Sequence, residues 1–208
     1  ITERKDRIRE AVTRSAEALN GKVLKDDALL DIVKNLVEFP AVVAGNFAHK
    51  FLDLPPQVLI TAMREHQKYF AVVDENNDLM AHFIAVNNTA ARDLALAAKG
   101  HERVLRARLA DAQFFYQGDL DVTNDDRVEK LKGVLFQAKL GSMYEKIERV
   151  AKIAEYLTSS VDYKSAPDTG DPDLKTQVSR AARLSKADLV SQVVGEFPKL
   201  QGIMGRIY

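Results

Sequence analysis

Between residues 68 and 86 the hydrophobic pattern changes period, and this change limits what the chain can fold into. Lys68–Asp74 and Leu79–Val86 are short runs rich in β-branched and aromatic residues, separated by Glu75-Asn76-Asn77-Asp78. Two such runs around a short polar turn predict a β-hairpin, because asparagine tolerates the positive φ that the turn requires. On both sides of it the apolar residues recur at helical spacing. A small antiparallel sheet set among helices is an α+β arrangement.

The flanking helices have readable ends. Residues 3–19 place Ile8, Val12, Ala16 and Leu19 on one stripe, and Asn20-Gly21 supplies a stop that accepts left-handed backbone. A second helix is expected from Asp26 to Val37, with Asp26-Asp27 at the positive end of its dipole. A short buried strand is expected from Ala41 to Phe47. A helix opening at Pro55-Pro56 should reach His66. From Asp93 to Tyr116 the period is helical again, with Gly100 as a weak point.

Beyond this the sequence offers no convincing strand. Thr123-Asn124-Asp125-Asp126 resembles the cap of a helix reaching Leu140, with Gly141 as its stop. Ser142 and Glu145 have capping-box spacing and open a helix to Leu157. After the polar loop SSVDYKSAPDTGDPD, Asp171-Pro172 starts a last helix toward Gly195. The expected organisation is an α+β domain over 1–118 and an all-α domain over 119–208, with the boundary near Gln117–Asn124.

Charge and composition exclude several classes. Thirty basic side chains balance thirty acidic ones, 16 against 16 in residues 1–118 and 14 against 14 beyond, so a globally basic nucleic-acid binder is excluded. There is no cysteine, hence no disulfide, thiolate nucleophile or Cys-ligated zinc. No apolar run is long enough for a membrane helix, and ITERKDRIRE has no signal-peptide character. Neither GxxxxGK[ST], GxGxxG nor GxSxG occurs. The four histidines, His49, His66, His82 and His101, form no HxxxH pair, which argues against a zinc site.

What remains is local basic clustering. In KGHERVLRAR, Lys99, Arg103 and Arg106 share one helical face, while Arg108 points toward the side of Leu105, Leu109, Ala112 and Phe115, with Asp111 its obvious partner. Arg64 and Lys68 stand beside Tyr69 and Phe70, a mixture that RNA can use, although the two aromatics would ordinarily alternate, one inward and one outward. Lys175, Arg180, Arg183 and Lys186 fall within one arc of the last helix. For each cluster the plainer reading is structural: a charged outer face with one internal ion pair over 99–108, an ordinary strand start at 64–70, and a solvated basic face on the last helix.

At these segments the sequence resembles the beta subunit of the bacterial two-subunit glycyl-tRNA synthetase. The strings that carry the resemblance are NLVEFPAVVAGNFAHKFLDLPPQVLITAMREHQKYF (35–70), GHERVLRARLADAQFFY (100–116), LFQAKLGSMYEKIERV (135–150) and LSKADLVSQVVGEFPKLQGIMGRIY (184–208). The resemblance implies an internal piece of a larger cytoplasmic subunit that supports tRNA-Gly binding and subunit assembly and has no complete active site of its own. The alpha subunit is the implied partner, and ATP and magnesium belong to its site; this piece would hold no cofactor and meet neither membrane nor DNA.

The resemblance also implies that residues from about 120 begin a helical domain related to HD-type metal phosphohydrolases. The position of the His-Asp doublet is occupied by Ala187-Asp188, and no histidine follows residue 101. One carboxylate without imidazole lacks most of a metal's ligands, so an inactive HD-like scaffold is expected. An HD-type hydrolase and a purely structural scaffold stand as alternatives.

Overall fold

The computed structural model describes residues 2–160 and 174–208. The chain divides into two compact units, Ile1–Phe114 and Phe115–Tyr208.

In the first unit, helix α1 (Thr2–Glu17) ends at Asn20, whose φ is +57°, with the Gly21 amide donating to the Ala16 carbonyl at 3.0 Å. After the two-residue strand β1 (Lys22–Val23), helix α2 (Asp27–Leu36) is capped by Asp26, which accepts from the Leu29 amide at 2.8 Å. Strand β2 (Ala41–Asn46) leads through a 3-10 turn, His49–Asp53, into α3 (Pro56–Thr61). The helix expected to reach His66 extends to Gln67, but Ala62–Gln67 widens into a π-helical turn closed by Lys68 at φ +58°. Strands β3 (Phe70–Val73) and β4 (Leu79–Asn87) form the expected hairpin, with Asn77 at φ +67° in its turn.

The sheet is antiparallel in the order β1-β3-β4-β2. Ile8, Val12 and Ala16 of α1 and Leu29, Leu30 and Val33 of α2 pack with Phe70, Val72 and Ile84 in one core. Burying each of the larger side chains contributes about 1.5–3 kcal/mol. The opposite parity of the hairpin, Ala71, Val73, Phe83 and Ala85, is buried as well. Tyr69 and Phe70 are therefore both interior, where one had been expected to face outward, because both faces of the sheet are covered. Tyr69 stacks on Phe83 with ring centroids 4.7 Å apart.

Helix α4 (Leu94–Leu120) runs unbroken through Gly100, and the division between the units falls within it. In the second unit, α5 (Asn124–Lys130) is capped by Thr123 but stops far short of Leu140. A 3-10 turn, Leu131–Gly133, and a small hairpin of β5 (Leu135–Gln137) and β6 (Gly141–Ser142) replace the expected helical stretch. Gly141, at φ +85°, opens β6 instead of ending a helix. The second half thus contains strands that its sequence did not announce.

Helix α6 (Met143–Ser160) opens on the expected capping box: the Ser142 amide donates to Glu145 at 2.6 Å and the Glu145 amide to the Ser142 hydroxyl at 3.2 Å. The proposed start at Asp171-Pro172 lies outside the described residues. Helix α7 (Leu174–Leu184) stops eleven residues before Gly195, and a 3-10 turn, Ala187–Val190, α8 (Gln192–Glu196) and α9 (Ile203–Ile207) follow. Val128, Leu131, Ile147 and Ala187 form this unit's central cluster.

Candidate functional site

Helix α4 separates its faces by chemistry. Leu105, Leu109 and Ala112 are fully buried, whereas Lys99, Arg103 and Arg106 are exposed along one outer ridge. Glu102, the acid within the run, accepts from the Asn46 amide at 3.0 Å and so turns toward β2. The ridge is left with three cations and no acid between them. Arg108 is half-buried and Asp111 exposed.

Arg64 has a different setting. Its guanidinium holds Asp26 through Nε–Oδ2 at 2.5 Å and also pairs with Glu65. Burial pushes the Asp26 carboxyl up, but hydrogen bonds from Arg64 and the Leu29 amide and the attraction of the guanidinium outweigh it. The carboxyl is held below its ordinary range. Arg64 thus ties the π-helical turn to the cap of α2, and the structure does not group it with the ridge. Lys68 donates to the Glu65 carbonyl at 2.7 Å.

Beside these residues lies a cleft of about 380 Å3, walled by Val33, Leu36, Val86, Ala97 and Val104. Its polar floor is a three-residue relay. The Tyr69 hydroxyl is 2.8 Å from His101 Nδ1, and His101 Nε2 is 3.0 Å from Asn87 Oδ1. An amide oxygen only accepts, so Nε2 carries the proton and Nδ1 accepts from Tyr69. Burial favours this neutral ring by lowering the His101 pKa, and pushes the Tyr69 hydroxyl up to about 12. His49 and His66 are exposed and His82 is half-buried. Gly100 lines the same cleft. A Cβ there would meet no atom within 4 Å, although glycine in a helix interior costs about 1 kcal/mol relative to alanine.

In the second unit, Lys175, Arg180 and Arg183 border an open depression together with Asp125, Glu155 and Ser179. Arg183 approaches Asp125 at 3.7 Å, and Ser179 donates to Glu155 at 2.8 Å. Lys186 is not on this helix: it lies past the end of α7, half-buried, as the residue preceding the 3-10 turn. The four-cation arc expected here is reduced to three. Ala187 and Asp188 are both buried, and the Asp188 carboxylate accepts from the Gly202 amide at 2.5 Å and the Gly205 amide at 3.0 Å. Among the described residues, no group of three or more His, Asp or Glu side chains could hold a metal ion. No described helix is long and apolar enough to cross a membrane.

Residues 1–208 match the model of the family described as glycyl-tRNA synthetase beta subunit. The chain belongs to this family. It is 56% identical over 208 residues to the glycine–tRNA ligase beta subunit of Desulforapulum autotrophicum, covering all of this chain and 29% of that one. It is 51% identical over 205 residues to the same-named proteins of Geotalea uraniireducens and Geobacter sulfurreducens, covering 99% of this chain and 28% of each. The chain thus spans under a third of the length of the curated relatives it matches.

Within this beta-subunit sequence, two arrangements had no signal that a local window could carry. The relay joins residues 69, 87 and 101, whose side chains meet only when β3, β4 and α4 are assembled. Asp119, buried at 2% exposure, accepts from the Gln192 and Val193 amides at 2.8 and 2.9 Å and from the Tyr208 hydroxyl at 2.8 Å. Arg127 lies 4.0 Å from the centre of the Tyr208 ring and donates to the Asp119 carbonyl. Burial and the bond to Asp119 raise the Tyr208 pKa strongly.

Proposed function

We propose that this chain is a tRNA-holding part of a glycine–tRNA ligase beta subunit, contacting tRNA-Gly phosphates through the α4 ridge. In this reading it works in the cytoplasm with the alpha subunit, where ATP, magnesium and glycine are bound and aminoacyl transfer takes place. The observation that carries it is the exposure of Lys99, Arg103 and Arg106 along one side of a 27-residue helix, with Glu102 directed to Asn46. Arginine and lysine on a rigid helix suit phosphate oxygens, and such contacts position RNA without reading its sequence.

Lys175, Arg180 and Arg183 form a weaker candidate, since Asp125 and Glu155 stand among them. Lys68, beside the α4 cleft, is the better auxiliary cation. An HD-type hydrolase has less support, because Asp188 is engaged with two backbone amides. The helical second unit is read as an inactive HD-like scaffold.

The test is charge reversal, Arg103→Glu with Arg106→Glu, in the assembled synthetase. Affinity for tRNA-Gly is measured between 50 and 200 mM salt. Losing two phosphate contacts should weaken binding and flatten the log–log salt slope by roughly 1.5–2. An unchanged slope would refute the ridge contact and favour a purely structural scaffold.

A further inference from the structure

We infer that the cleft beside the α4 ridge receives one unpaired nucleobase of the bound RNA, which enters over Gly100. The inference rests on the tRNA-holding reading and goes further, assigning a base-binding pocket to residues that the phosphate ridge does not use.

Three independent features converge on it. The first is the glycine itself. Gly100 sits inside a long helix, where glycine is disfavoured, yet no neighbouring atom requires its missing side chain. Among the described residues, packing gives no reason for it. Close approach of an external group to the helix backbone does.

The second feature is the chemistry of the cleft. At about 380 Å3 it lies within the size range of small-ligand pockets, and its walls are aliphatic, with Leu36 and Val104 left substantially exposed at the mouth. The relay on its floor is internally satisfied: Tyr69 donates to His101, and His101 donates to Asn87 Oδ1. The groups left for a ligand are the Asn87 amide nitrogen and the N–H groups of Lys68 not directed at Glu65, which donate, and the Gln67 side-chain amide, which both donates and accepts. A flat ring with apolar faces and an edge of ring nitrogens and carbonyl oxygens is complementary to such a site, as RNA bases splayed from a loop are. An aliphatic protein side chain would leave those donors unanswered.

The third feature is charge. Lys99 and Arg103 flank Gly100 on the outer side of the same helix, and Lys68 lines the cleft. A backbone held by the ridge would carry its phosphates past the opening, so that one base can turn inward. The left-handed φ of Lys68, unusual for a lysine, fixes the π-helical turn that brings Gln67 and Lys68 to this place.

The experiment compares Gly100→Ala, Gly100→Leu and the Arg103→Glu/Arg106→Glu pair in the assembled synthetase, using tRNA-Gly transcript as probe. Circular dichroism and thermal unfolding check the fold. Gly100→Ala should leave Tm unchanged or raise it, since alanine favours the helix. Gly100→Leu should keep the fold yet weaken tRNA binding about 10-fold or more, the loss expected when the base can no longer enter the cleft.

Transcripts with single abasic nucleotides then locate the base. At one unpaired position the abasic loss and the Gly100→Leu loss should fail to add. If Gly100→Leu leaves affinity unchanged while charge reversal lowers it, the cleft proposal is overturned and the ridge stands. If neither lowers it, both readings fall. Losses that add at every position, or weakened alpha-subunit association with intact tRNA affinity, would show another occupant and also overturn the proposal.

Discussion

Asp119→Ala removes one carboxylate and orphans three donors at once. The Val193 amide is buried and has no route to water, which makes its loss cost about 1–3 kcal/mol. The Gln192 amide and Tyr208 hydroxyl are partly exposed and contribute about 0.5–1.5 kcal/mol each. These terms centre near 4 kcal/mol, and relief of the buried carboxylate's own desolvation returns part, leaving about 3 kcal/mol of destabilisation. Urea unfolding followed by far-UV circular dichroism measures it. With a slope of about 2 kcal/mol/M, the midpoint of the transition that reports the second unit should fall by about 1.5 M. Asp119→Asn, which keeps an acceptor oxygen, should fall between the two. A shift below about 0.5 M at unchanged slope would mean that water replaces the carboxylate, and that Asp119 does not pin α8 and the Tyr208 ring.

Two further outcomes test the first unit. Gly45 lies opposite Phe83 in the β2–β4 register, and a Cβ there would stand 2.4 Å from the ring, so Gly45→Ala should cost about 1–3 kcal/mol by urea unfolding. His101 makes stability pH-dependent: the unfolded chain takes up a proton near pH 6.5, whereas the folded ring, with Nδ1 accepting from Tyr69, does so only at lower pH. Below about 6.5 the unfolded state therefore binds more protons, and stability should drop as pH falls toward the folded value. Unfolding midpoints from pH 7.5 to 5 should show this decline, and His101→Gln should flatten it.

Local chemistry announced some elements and concealed others. The hairpin over 68–86 and the Ser142–Glu145 box were legible because each is closed by residues within a few positions of one another. The Asn20 stop was legible for the same reason. The expected helix to Leu140 failed because Met143 donates to the Val134 carbonyl at 2.7 Å and Leu131 is drawn into the unit's core, and both preferences are tertiary. The last helix broke before Gly195 where Asp188 reaches amides 14 and 17 residues ahead. Among the site residues, the ridge followed from helical spacing alone. Arg64 did not, because its partner Asp26 lies 38 residues upstream. Gly100 showed itself in the sequence only as a weak point; its place beside the relay comes from packing.

The order of the main sheet also sets how its assembly must proceed. The β3–β4 hairpin closes over a few residues, but β1 meets β3 at Lys22–Val73 and β2 meets β4 at Ala41–Asn87. Both outer strands are synthesised before the pair they flank. At about 5–20 residues per second, β1 waits for roughly 3–10 s with its backbone unpaired while its partner is made. The loop-closure entropy of these long connections is overcome only once the hairpin offers a template. Within this unit, β1 and β2 therefore find their partners only after the hairpin that lies between them in the sheet has closed.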